Sequence, residues 1–356
     1  MNPRLANPTL FSLTALILII SGAWMASPAH AKFQGDWIDV HVHLIADKGS
    51  LDDFDEAARA ALQIMDNNSI KKMVVMSPPR PKENFDIESL KGVMAKYGAR
   101  FVVMGGGGSL NPMLQEAGRS AAVSEEVRQR FEATAEACLA SGAIGFGEIA
   151  AHHLSLTPSH GYESVSADHP LMLLLADIAA RHGVPIDLHF DPVPEDAPTP
   201  ASLSSPRNPP VLKANLDGLE RLLAHNRKTT IMWAHAGSDP VGFFTPQLAR
   251  EMLGRHPNLS FSIRPLHNSP SALVNPRGDI NKEWLSVLRD FPDRFVIGTD
   301  SFIVASNYSG PDAPKSFAPK AEKQRNAVRI LLDSLPETLA RRIGYENAER
   351  LYKLGP

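Results

Sequence analysis

Cysteine is nearly absent: the 356 residues hold one, Cys138. A disulfide framework within the chain and a cysteine-rich zinc site are therefore excluded. An excess of positive charge is missing too. Lysine plus arginine total 36 against 39 aspartate plus glutamate, a net charge of −3, which opposes a broad nucleic-acid-binding surface. No Gly-Lys-Ser/Thr follows the four glycines Gly105–Gly108, so they read as close backbone packing or a mobile loop and not as a phosphate cradle. What is present is a globular composition, 43% hydrophobic and 21% charged, which excludes global disorder.

Arg4 is the one charged residue before Lys32, and Leu10–Ala26 is uncharged. That stretch falls just short of the ~18 residues of a membrane span. Ser27-Pro28-Ala29-His30-Ala31 follows, with small residues at the end. The pattern predicts a secretory signal peptide over residues 1–31, cut after Ala31, and a single mature domain over 32–356. An uncleaved anchor is the alternative. No twin arginine precedes the apolar stretch, so export in the unfolded state is expected. The expected location is periplasmic or secreted, with no stable membrane insertion after cleavage.

Eight short apolar runs recur: Trp37–His41, Lys72–Ser77, Phe101–Gly105, Ala143–Ile149, Val184–His189, Thr229–Ala234, Leu259–Ile263 and Arg294–Gly298. Helical periodicity follows them, for example over Asp52–Asn67, Ser124–Ala140, Pro170–His182, Val211–Asn226, Gln247–His256 and Lys282–Asp290. Alternation of this kind implies βαβ units and a parallel sheet. Eight units fit an α/β class (β/α)₈ TIM barrel, with an open doubly wound sheet as runner-up. The prolines of Asp191–Pro210 exclude regular helix and central strand. Asn307–Pro319 reads as a second, shorter insertion. Lys323–Leu354 reads as two helices broken at Pro336.

Polar residues cap several of these runs. His41 and His43 sit two apart at the end of the first, so both imidazoles face one way. Glu148 ends the fourth run, His189 the fifth, His235 the sixth and Asp300 the eighth. A closed barrel would bring these ends together, whereas an open sheet would spread them. Four histidines and two carboxylates in one pocket suit a divalent cation, zinc foremost, with manganese, iron or nickel also compatible.

The constellation resembles the amidohydrolase superfamily, and within it the amidohydrolase-related group that includes nonoxidative decarboxylases. The resemblance rests on Asp39-Val40-His41-Val42-His43, Trp233-Ala234-His235-Ala236-Gly237, Gly298-Thr299-Asp300 and the closing Asn347-Ala348-Glu349-Arg350-Leu351. It implies that His41, His43, His189 and Asp300 ligate a metal. His235 would ligate a second metal or orient the attacking water and the substrate oxygen. Glu148, in Gly147-Glu148-Ile149, would be an outer ligand of one ion or a bridge between two. The decarboxylase-like relatives favour one.

Such an ion acidifies bound water. Asp300 is then expected to take the water proton and pass it to the leaving group, and His235 to stabilise the oxyanion. The expected activity is metal-dependent hydrolysis of an amide, ester or lactone in a small molecule. Arg80 and Arg264, after the second and seventh runs, are candidate contacts for an anionic substrate. His153 is a candidate at the pocket mouth, with His152, Tyr162 and His267 near it. A nonoxidative decarboxylase is the second reading, and a non-catalytic metal-binding protein the third. His160, His169, His182, His225 and His256 read as structural or exposed. Trp233 and Cys138 read as packing. Pairing between copies of the chain is left open.

Overall fold

The computed structural model describes residues 32–46, 51–120, 122–156, 161–204, 207–265, 271–275, 277–306, 308 and 318–355. The expected signal peptide, His160, His267 and most of Asn307–Pro319 lie outside these residues.

Thirteen strands are described: β1 (Trp37–Ile45), β2 (Ile70–Val75), β3 (Phe101–Val103), β4 (Gly105–Gly106), β5 (Phe146–His153), β6 (Glu163–Ser164), β7 (Ile186–Phe190), β8 (Ala197–Pro198), β9 (Val211–Leu212), β10 (Ile231–Ala236), β11 (Leu259–Ile263), β12 (Phe295–Ile297) and β13 (Ser301–Val304). The fold is mixed α/β with a mostly parallel central sheet, in the order β3-β2-β1-β12-β11-β10-β7-β5-β4. The two ends of this path lie on either side of one residue, Met104. Met104 N–H donates to Val75 O at 2.9 Å, and Gly105 N–H to Gly145 O at 3.1 Å. Every residue of β1 and β5 is buried, as strands covered on both faces require.

Two apolar clusters divide the interior. Ile38, Val40, Val74, Met76, Met104, Met232 and Val296 form the smaller one, joined by Ala348, Tyr352 and Leu354 of the C-terminal segment. Trp37, Val42 and Leu44 pack in the larger cluster, with the helices. The closing Asn-Ala motif has a structural purpose here: Asn347 Nδ2 donates to Pro292 O and Phe295 O at 2.8 and 2.9 Å, tying the C-terminus to β12.

Helix ends follow local chemistry. Pro170 opens the helix Pro170–His182, His169 caps it by accepting from Leu171 N–H, and Gly183 ends it at φ +62°. Asn281 caps the helix Lys282–Asp290, which buries Trp284, Val287 and Leu288 on one face. His182 pairs with Glu136, His225 with Asp177 and His256 with Glu220. These histidines are structural, as expected. Trp233 is packing: its ring stacks on Phe244 with centroids 4.4 Å apart. Cys138 is buried, and burial pushes its thiol up to about 12.

Several boundaries differ from the sequence reading. β1 continues to Ile45 because β13 pairs with Val42–Ile45. His41 and His43 are thus inside a strand and not at its end. β5 begins at Phe146 and runs to His153, since β6 pairs with His152 and His153; these two histidines are on the strand and do not follow it. The helix expected from Val211 begins at Leu216. Val211 and Leu212 instead pair with Ala197 and Pro198. Asn215 spends its side chain on Val193 N and Asp191 O, at 2.8 and 3.0 Å. The proline-rich stretch carries part of that separate two-stranded ladder and one 3₁₀ turn, Ala201–Leu203. After Pro336 come a short helix (Glu337–Arg341), a π turn (Arg342–Glu346) and a last short helix (Asn347–Leu351).

Candidate metal centre

β1 changes its facing partway along. Ile38 and Val40 point into the smaller apolar cluster, and the register with β2 shifts between Asp39 and Val42. After that shift His41 and His43 face the strand ends that carry Glu148 and Asp300. Asp39 turns toward Thr299, accepting from its N–H at 2.9 Å and its hydroxyl at 2.6 Å. Burial still pushes the Asp39 carboxyl up to about 6.

Glu148 stands at the middle of the cluster. Its Oε1 lies 2.7 Å from His189 Nδ1 and 3.3 Å from His235 Nε2. Its Oε2 lies 3.4 Å from His41 Nε2 and 3.3 Å from His43 Nε2. The backbone around it is tight. A Cβ at Gly107 would sit 3.0 Å from Glu148 N and closer still to Ser77 O, so close packing is one reason for the glycine run.

Asp300 closes the other side. Its Oδ1 is 3.1 Å from His43 Nε2 and 3.9 Å from His41 Nε2. Its Oδ2 is 3.0 Å from Arg264 Nη1. Burial would raise its pKa, but Arg264 and the histidines hold it well below the usual carboxylate range. Arg264 therefore reaches the cluster already engaged in an ion pair. Asp300 and His235 have φ of +53° and +71°, a region that costs non-glycine residues energy and that recurs at functional sites.

His235 Nε2 is also 3.1 Å from His189 Nδ1. Burial pushes His235 down to about 4, so it is neutral near pH 7. His189 behaves oppositely. Burial disfavours its charge, yet Asp191, 3.5 Å from Nε2, and Glu148 raise it to about 10.

Two trios have ligand atoms mutually within 4.8 Å: His41 with Glu148 and His235, and His41 with His43 and Asp300. His189 belongs to neither and meets the cluster through Glu148 and His235. A divalent cation fits this donor set. His41 Nε2, His43 Nε2 and His235 Nδ1 are buried without a hydrogen-bond partner. Orphaned buried imidazole nitrogens are costly unless a ligand satisfies them. Four carboxylates, Glu148, Asp187, Asp191 and Asp300, crowd around imidazoles here, with Arg264 as a guanidinium counter-charge.

The three candidate substrate contacts separate. His153 is buried, its ring centroid 3.9 Å from that of His189. Arg80 is exposed and lines a cavity of about 270 Å³ with Lys82, Glu163 and Arg207. Arg264 is on Asp300. His152 Nδ1 faces Asp191 O at 2.8 Å, and its Nε2 faces the Tyr162 hydroxyl at 3.3 Å.

Sequence reasoning passed over Asp187, Asp191 and Glu163. The first two share the two-residue spacing of Asp187-Leu188-His189-Phe190-Asp191, a signal that was there to find. Glu163 carried none, since it lies in a loop-like stretch. It is buried beside Asn111, whose Nδ2 donates to Glu163 Oε2 at 3.0 Å and to Arg80 O at 3.1 Å. Burial raises Glu163 to about 7.

No curated protein matches the chain. Among solved structures, a 2,6-dihydroxybenzoate decarboxylase in complex with 2,6-dihydroxybenzoate is similar in fold at 13% identity and TM-score 0.52, over 90% of this chain and 100% of that one. A dihydroxybenzoic acid decarboxylase from Polaromonas sp. JS666, with manganese and 2-nitroresorcinol, aligns at 13% identity and TM-score 0.48, over 90% and 97%. Amidohydrolase 2 from Bifidobacterium longum subsp. infantis aligns at 13% and TM-score 0.45, over 90% and 100%. The amidohydrolase family model matches residues 38–354, and the chain belongs to that family.

Proposed function

We propose that this amidohydrolase-family enzyme is a metal-dependent hydrolase of a small, anionic amide, ester or lactone. The observation that carries the reading is the pair of orphaned imidazole nitrogens, His41 Nε2 and His43 Nε2, buried against Glu148 and Asp300, with His235 Nδ1 orphaned as well. The reading takes the sheet whose two ends meet at Met104 as a closed (β/α)₈ barrel, which gathers these side chains at one mouth.

His41, His43, His189 and Asp300 would hold one divalent ion, zinc foremost, with Glu148 as a further ligand. Such an ion acidifies water and polarises a carbonyl. Asp300 Oδ1 would accept the proton of the attacking water, with Arg264 keeping that carboxylate ionised. His235 is neutral, and its unpaired Nδ1 would carry the proton donated to the developing oxyanion. Arg80 and His153 would contact the substrate. Glu148 sends one oxygen toward His189 and His235 and the other toward His41 and His43. That division supports a second reading in which Glu148 bridges two ions.

The runner-up activity is nonoxidative decarboxylation, the reaction named for the 2,6-dihydroxybenzoate decarboxylase that shares the fold. The proposal also keeps residues 1–31 as an export signal and a periplasmic or secreted location. Among the described residues, no helix is long and apolar enough to cross a membrane.

The deciding experiment loads the protein with Zn²⁺ or Mn²⁺ and follows acid release from ester and lactone probes beside CO₂ release from hydroxybenzoates. Metal-dependent acid release supports hydrolysis. Release of CO₂ alone replaces the reading with decarboxylation, and neither product from any loaded form overturns both.

A further inference from the structure

Asp187 lies on β7 two residues before His189 and is fully buried. Its Oδ1 stands 3.2 Å from His41 Nδ1. That is a charge contact and not an aligned hydrogen bond, because neither carboxylate oxygen of Asp187 has a hydrogen-bond partner. The Tyr352 hydroxyl is buried without a partner as well. A Cβ at Gly147 would meet Asp187 Cβ, Met76 Sδ and Met104 Cε together, so Asp187 is a carboxylate set beside the smaller apolar cluster, with His41 as its one ion-pair partner among the described residues. A buried charge with so little support is destabilising unless it has another use.

The His41 ring shows that use. Nδ1 faces Asp187, and Nε2 faces Glu148 Oε2 and Asp300 Oδ1. His43 is arranged the same way, with Nδ1 2.9 Å from Met76 O and Nε2 toward the same two carboxylates. An imidazole that offers Nε2 to a cation must carry its proton on Nδ1, and the group facing Nδ1 selects that tautomer. A carboxylate there also makes the ring a stronger donor than a carbonyl does.

Resting on the metal reading above, we infer that Asp187 is a positioning residue that holds His41 with Nδ1 protonated and Nε2 turned toward the ion. His41 is the residue shared by both ligand trios, so its orientation governs the whole site. Asp187 touches no reacting atom. It acts through His41.

The test measures Zn²⁺ affinity by chelator competition, and the melting temperature of the metal-free protein, for the parent, D187N and D187A. D187N keeps an acceptor at Nδ1 but loses the charge. The expected result is about 10-fold weaker Zn²⁺ binding for D187N and about 100-fold for D187A. Metal-free D187N should melt close to the parent, because asparagine keeps the shape and an acceptor at Nδ1. A residue of purely structural use would do the reverse, lowering the metal-free melting temperature and leaving affinity alone; that result overturns the inference. Should D187A fail to fold, D187N decides alone, and affinity within twofold of the parent overturns it. A parent that binds no Zn²⁺ sinks the functional reading as well, so the two failures are distinguishable.

Discussion

His43 Nε2 stands 3.1 Å from Asp300 Oδ1, which joins β1 to the turn between β12 and β13. Asp300 also meets Arg264. Its carboxylate is thus kept ionised while it touches a candidate ligand histidine. Replacing it by asparagine keeps the shape and removes the proton acceptor. D300N should retain the parent's circular dichroism and lose at least about 100-fold in turnover. Full turnover in D300N would remove Asp300 from proton transfer.

Metal content provides an independent measure. Elemental analysis of the purified parent should find about one divalent ion per chain, or about two if Glu148 bridges. Replacing His41 and His43 together by asparagine should bring this near zero. Chelation should lower the parent's melting temperature, since an ion bound to the folded chain stabilises it by mass action. Equal ion content in the parent and the double variant would place the ion elsewhere.

Gly298 is predicted to be intolerant of alanine. A Cβ there would lie 3.0 Å from His41 Cβ and 2.9 Å from Ser262 Cβ. G298A should destabilise by roughly 1–3 kcal/mol through overpacking and weaken Zn²⁺ binding by displacing His41. Calorimetry and chelator competition on the same sample check both effects.

Glu163 produces a pH signature. Its ordinary value is 4.5, and burial raises it to about 7. Between those values the unfolded chain releases the proton before the folded one does. Stability therefore falls as pH rises through that window and stays reduced above it. Glu163→Gln can still accept from Asn111 and cannot ionise. Relative to the parent it should gain on the order of 2–3 kcal/mol at pH 8 and almost nothing at pH 4. Denaturant melts at the two pH values check this, and an equal gain at both would show that ionisation is not responsible.

Much of the site was legible because strands impose a two-residue alternation. His41 and His43 share a face for that reason, and each remaining candidate ligand followed an apolar run. Alternation failed where chain-distant pairing intervened. β1 shifts register between Asp39 and Val42, so Val40 and His41 both turn inward. β5 lengthens because β6 pairs with it, and this carries His153 onto the strand and buries Glu163 beside Asn111. Neither event has a local signature.

The arginines show the same limit. Their positions after strands suggested substrate contacts for Arg80 and Arg264 alike. Arg80 opens onto a cavity, while Arg264 pairs with Asp300. A side chain's partner depends on what the fold brings to it.

Residue order alone determined the βα alternation, the buried runs and the identity of the six clustered histidines and carboxylates, because these follow from periodicity. Tertiary structure decided which oxygen of Glu148 meets which histidine, that Asp187 lies under His41, and that Arg264 guards Asp300. Those relations join residues far apart in the chain, and their strength depends on distances and burial that exist only once the sheet has assembled.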